Sequence, residues 1–187
     1  MKQPARPFEA CRSRKAVLAV ATFVTFGALA LATALPASPA GAATPASFTL
    51  TAGALSISAP TVGVSLGSQV ASANATTMSG QLGSVTVTDQ RGGTTSWTAS
   101  VISTAFTPTA GPADPASNVS YAAGTISDSA TVVATAVAAS DLTGVSTVVT
   151  GTSTGISTAT WDPTITVIVP ADYAPGVYSA TITHSVA

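Results

Sequence analysis

The sequence predicts an all-β protein: one antiparallel β-sandwich domain of immunoglobulin-like type. Three observations carry that prediction. Beyond residue 43 the chain is poor in Glu, Lys, Arg and Met and rich in Thr, Val and Ser, a mixture that suits strands better than helices. Apolar and hydroxyl residues alternate with period two in several places, as half-buried antiparallel strands require. Clusters of Gly, Pro, Asn and Asp, such as "FTPTAGPADPAS" and "PADYAPG", break the chain into many short runs, the rhythm of a sandwich.

The first 43 residues are set apart. Lys2, Arg6, Arg12, Arg14 and Lys15 precede an uncharged apolar stretch from Ala16 to Leu35, followed by the small-residue run "PASPAGAA". That order is a secretory signal, with cleavage expected between Ala40 and Ala43. The apolar stretch is long enough to cross a bilayer, but its Thr and Gly content and the small-residue run favour removal, so no stable membrane insertion of the mature form is expected. The mature domain then spans residues 44–187, enough for a core of its own.

Within it, strands are expected at residues 48–51 and 55–59. Val85 and Val87 alternate with Thr86 and Thr88 to give another, followed by "TDQRGG", which reads as a hairpin connection needing positive φ at Gly92 or Gly93. Further strands are expected at 97–104, 119–122 and 145–150. Ile165, Val167 and Val169 alternate with Thr164 and Thr166; Tyr178, Ala180 and Ile182 alternate with Ser179, Thr181 and Thr183. Residues 129–142, "SATVVATAVAASDL", are Ala-rich enough for a short helix, although Val and Thr favour a strand over 131–137. No fixed-period repeat is present, which argues against solenoids and propellers.

Charge narrows the function. Five of the six basic residues lie before residue 16, leaving Arg91 against Asp89, Asp114, Asp128, Asp141, Asp162 and Asp172, a formal charge of −5 for residues 44–187. A surface with one cation cannot neutralise phosphates, so nucleic acid and anionic lipid are not expected partners. The single cysteine, Cys11, lies in the signal, so no disulfide holds the mature domain.

Catalysis needs a nucleophile, a base and a group to orient them. With His184 as the sole histidine, and neither thiol nor lysine after residue 43, the familiar versions cannot be assembled. Isolated aspartates in separate loops do not suggest a glycosidase pair, and no D-x-D or calcium-loop spacing occurs, so no enzyme, cofactor or metal is expected. His184 shares parity with Ile182 and Val186, which points to a packed or rim histidine. Trp97, in step with Ala99 and Val101, and Trp161, in step with Ile165 and Val167, should face the core; Tyr173, in a Pro/Gly loop, is expected to be exposed and is the better aromatic for a glycan or protein contact. The T-x-T triplets at Thr86/Thr88, Thr164/Thr166 and Thr181/Thr183 are ordinary outward strand residues.

Four segments taken in order, "LTAGALSISAP" (50–60), "QLGSVTVTDQRGGTTSWTASVISTAFT" (81–107), "VSYAAG" (119–124) and "TWDPTITVIVPADYAPGVYSATITHSVA" (160–187), resemble the WxL-type domain of Gram-positive cell-surface proteins, in an actinobacterial-like variant. Where the family pattern has Trp-x-Leu twice, this chain has Trp97-Thr98-Ala99 and His184-Ser185-Val186. The resemblance implies a secreted β-rich domain that attaches non-covalently to peptidoglycan, with Trp97, Tyr173 and His184 as candidate binding positions. The expected partner is therefore cell-wall glycan or a surface protein. The alternative is a structural subunit of an extracellular layer or fibre, since low charge and Thr-rich strands favour self-association. Arg91 is expected to act as a structural clamp, its guanidinium forking to Asp89 or to loop carbonyls.

Overall fold

A computed structural model describes residues 41–171 and 173–187. All but the last three residues of the expected signal segment lie outside it. The described chain is an antiparallel β-sandwich. Its strands are β1 (Leu55–Ser58), β2 (Thr76–Gln81), β3 (Val85–Asp89), β4 (Thr95–Ser103), β5 (Thr107–Pro108), β6 (Val119–Ala122), β7 (Ile126–Asp128), β8 (Val132–Ala136), β9 (Ser146–Ser153), β10 (Ser157–Trp161), β11 (Thr164–Val169), β12 (Tyr178–Ser179) and β13 (Ile182–Val186), with one 3-10 turn at Ala116–Asn118.

One layer has the order β1-β3-β10-β7 and the other β13-β4-β9-β8. Alternation puts Val85, Val87, Ala159 and Trp161 of the first layer, and Trp97, Ala99, Val101 and Val149 of the second, into one core with exposures of 3 % or less. Each valine so buried contributes roughly 1.5–3 kcal/mol relative to leaving it in water.

The first layer continues past a corner into the sheet β2-β11-β6. Two residues, Asp162 and Pro163, separate β10 from β11, whereas three separate β2 from β3 and three separate β6 from β7. Pairing does not lapse, because Leu82 N–H donates to Pro163 O at 2.9 Å. Each flanking strand thus carries one surplus residue and a left-handed glycine there, Gly83 at φ 90° and Gly124 at φ 73°. A single extra residue exchanges the two faces of a strand. Accordingly Met78 and Gly80 face inward before Gly83, and Val85 and Val87 after it; Val119 and Tyr121 face inward before Gly124, and Ile126 after it.

Three expectations are corrected. The connection "QRGGT" is not a hairpin: β3 pairs with β1 and β10, β4 pairs with β13 and β9, and the loop arches from one layer to the other. Gly92 (φ 71°) and Gly93 (φ 68°) both take the left-handed conformation, which serves an arch as well as a hairpin. Residues 48–51 form no strand, and Phe48 and Leu50 are 92 % and 89 % exposed, because no ladder is offered to them. The run from Tyr178 divides into β12, which pairs with β5, and β13, which pairs with β4.

Residues 129–142 hold strand β8 followed by an irregular passage. Ala139 bridges Tyr121, and Leu142, fully buried, donates its N–H to Ala116 O at 3.1 Å. β1 starts opposite Asp89, and Ala187 exchanges backbone bonds with Thr98 near the start of β4, so the described strands begin and finish toward the Arg91 end of the sandwich.

Candidate functional site

At the Arg91 end the one cation meets a buried acid. Asp89 closes β3 with no exposed surface, and Arg91 donates Nε–H to Oδ1 at 2.9 Å, Nη2–H to Oδ2 at 3.0 Å and its backbone N–H to Oδ1 at 3.0 Å. Thr95 adds an O–H to Oδ2 at 2.7 Å. Arg91 Nη2 also donates to Ser96 O at 2.8 Å, so one guanidinium ties the end of β3 to the start of β4 across the layers. These donors, the Arg91 side chain first, hold the Asp89 carboxyl well below the usual carboxylate range, and Asp89 in turn raises Arg91. Both hydrogen-bonding edges of the carboxylate are spent inside the arch.

Trp97 lies in the core at 3 % exposure, with its indole over Gly151, its cross-strand partner. Its Nε1–H has no hydrogen-bond partner among the described residues. Buried in this way, it offers no face to a sugar.

His184 sits on β13 opposite Val101, half-buried. It ends a polar chain through the core: Trp161 Nε1–H donates to Tyr121 Oη at 2.9 Å, and Tyr121 Oη lies 3.2 Å from His184 Nε2, the rings meeting edge to face at 5.7 Å. If the Tyr121 hydroxyl proton is donated to Nε2, both the indole and the phenol protons are satisfied, and His184 is the neutral Nδ1–H tautomer. Burial acts in the same sense, lowering the imidazole from its ordinary value and pushing the Tyr121 phenol up to about 12. His184 also lines a pocket of about 260 Å³ with Leu82, Phe106, Ile165 and Ile182.

The larger opening lies at the opposite end from Arg91. Beyond the corner, β2, the end of β11, the loop before β2 and the residues around β12 enclose a cleft of about 800 Å³. Phe106, Tyr173, Tyr178 and Met78 supply apolar and aromatic surface, and Asp114, 2 % exposed, is buried behind it. Tyr173 is half-buried rather than freely exposed: its ring lies 6.0 Å from that of Tyr178 at a 42° tilt, and its hydroxyl donates to Ala113 O at 3.4 Å. Tyr178 donates to Ala174 O at 3.0 Å. Asp114 is held by a two-way backbone bridge to Phe106 and accepts a bond from Asn118 Nδ2 at 2.6 Å on Oδ1. Burial pushes its carboxyl up, and the Asn118 bond offsets part of that rise.

The site residues expected from sequence are thus dispersed. Asp89 and Arg91 meet at one end, Trp97 is in the core, His184 lies beneath the smaller pocket, and Tyr173 stands in the cleft wall. Phe106, Asp114 and Tyr178 were not singled out by sequence reasoning. The useful signal was "DPASN", where Asp114 precedes one 3-10 turn and Asn118 closes it, so the two can bond each other.

No family model, no curated protein and no solved structure matches this chain. Among the described residues no group of three His, Cys, Asp or Glu side chains is arranged to hold a metal ion.

Proposed function

We propose that the protein is a secreted, non-enzymatic domain of the bacterial cell surface that holds wall glycan non-covalently in the cleft beyond the corner. One observation carries the reading: the cleft, about 800 Å³, gathers the ring surfaces of Tyr173, Tyr178 and Phe106. Aromatic rings stack on the apolar faces of sugars. The resemblance of the four sequence segments to WxL-type domains supports the same reading.

The ligand is a neutral or cationic part of peptidoglycan rather than its anionic polymers. Arg91, the one cation after residue 43, is locked to Asp89 at the far end, and no basic side chain lines the described cleft. Binding that rests on stacking and hydrogen bonds is hardly weakened by salt, whereas charge attraction is screened over about 8 Å at physiological ionic strength.

The test is co-sedimentation of the purified protein with sacculi. Binding should persist as salt rises, survive chemical removal of the anionic polymers, and fall at least tenfold in Tyr178→Ala while the fold is retained. A steep loss with salt, loss on stripping those polymers, or full binding by the variant sinks the proposal.

A further inference from the structure

We propose that residues 47–51 of one copy add as an extra strand to the free edge of β2 in a second copy, joining molecules head to tail. This stands independently of the glycan reading and rests on different observations.

The donor is the segment "SFTLT". Phe48 and Leu50 alternate with Thr49 and Thr51, the pattern of a half-buried strand, yet the segment belongs to no ladder and both apolar side chains are almost fully exposed. Its position is set by Gly53, whose N–H donates to Gln90 O at 2.9 Å; a Cβ there would lie 2.5 Å from Gln90 Cβ. The backbone close approach fixes where the segment leaves the sheet, beside the Arg91 arch.

The acceptor is β2. It pairs with β11 on one side, and no described strand pairs with the other. Such an edge is a template for another chain. Elsewhere the fold covers an edge: on β8, at the margin of its sheet, Ala134 N–H is bonded by Asp128 Oδ2 at 3.3 Å. Among the described residues β2 has no such guard, and the loop before it carries exposed Val62, Val64 and Val70, at 81 %, 44 % and 87 %. Exposed apolar side chains therefore gather in both places, at opposite ends of the sandwich. Covering one set with the other removes both from water.

Charge permits the contact. Residues 41–88 contain no charged side chain, so both donor and acceptor are neutral although the domain as a whole is acidic. Donor and acceptor are different surfaces, so the contact is heterologous and repeats from copy to copy, head to tail. A strand of five residues buries less than the roughly 1,200 Å² of a stable interface, so free molecules should associate only at high concentration.

Sedimentation of the purified protein from micromolar to millimolar concentration should show progressive association. Phe48→Ser with Leu50→Ser should shift it to monomer without changing the melting temperature, because neither side chain supports the fold. As a direct probe, Thr49→Cys and Ser79→Cys chains, whose side chains share the outer face when Leu50 lies on the Met78 face, each also carrying Cys11→Ser, should form a mixed disulfide when oxidised together, faster than either forms a homodimer. A monomer at every concentration, association unchanged in the double serine variant, or Thr49→Cys chains that join only to each other overturns the proposal.

Discussion

The indole of Trp97 fills the space over Gly151, the residue directly across from it on β9. A methyl group added at position 151 would overlap Cε2 and Cζ2 of that ring. Gly151→Ala should therefore destabilise the protein by about 1–3 kcal/mol, the usual cost of overpacking a core. Urea denaturation measures it. In a Trp97→Phe background the penalty should shrink, since the smaller ring leaves room, and an unchanged penalty would show that the strain lies elsewhere.

The Asp89 carboxyl is held below its ordinary range, so the folded state keeps it ionised where the unfolded chain takes up a proton. Its contribution is complete above the unfolded value of about 3.9 and drains away as pH falls from there toward the lower folded value. Asp89→Asn should cost about 1.5–3 kcal/mol at neutral pH, the range for a hydrogen bond to a charged group, and should flatten the loss of stability below pH 4. Melting curves of wild type and variant across that window provide the check.

His184 shifts in the same direction for a different reason, since burial favours the neutral ring. Below the unfolded value of about 6.5 the unfolded chain protonates first, so the stability present above that pH is lost as pH falls. A His184→Phe variant should have a flatter stability profile between pH 7 and 5 than the wild type. Denaturant midpoints at those pH values would decide it.

Asp128 gives a prediction about solubility. Its carboxylate accepts from Ala134 N–H on the outer margin of β8, a strand with no charge of its own. Asp128→Ala should leave that N–H open to another chain, raising light scattering on incubation at high concentration while the melting temperature changes little. Equal scattering from variant and wild type would refute the protective role.

The strands easiest to read were those whose inner face is filled by large apolar side chains, such as β3 with Val85 and Val87 and β11 with Ile165 and Val167. β2 escaped notice because its inner face offers only Thr76, Met78 and Gly80, and Leu66 from the preceding loop takes the place of a side chain at Gly80. β10 likewise buries Ser157 and Ala159, too small and too polar to register as a pattern. Residues 48–51 show the converse: alternation marks an amphipathic extended segment without saying which edge receives it. The cleft could not be read at all, since Met78, Phe106, Asp114 and Tyr178 converge only after two surplus residues turn the sheet at Gly83 and Gly124. Glycines marked the Arg91 connection, but an arch and a hairpin need the same backbone there.

The strands begin and finish toward the Arg91 end, and the cleft opens at the other. This polarity makes the domain easy to mount: a linker, dye or solid support attached at Ala187 grips the end remote from the tyrosines. Immobilised that way, every molecule presents its cleft away from the support, and the exposed donor segment is confined to the anchored side. A sensor surface or a display scaffold built on this domain would therefore come out oriented without further engineering.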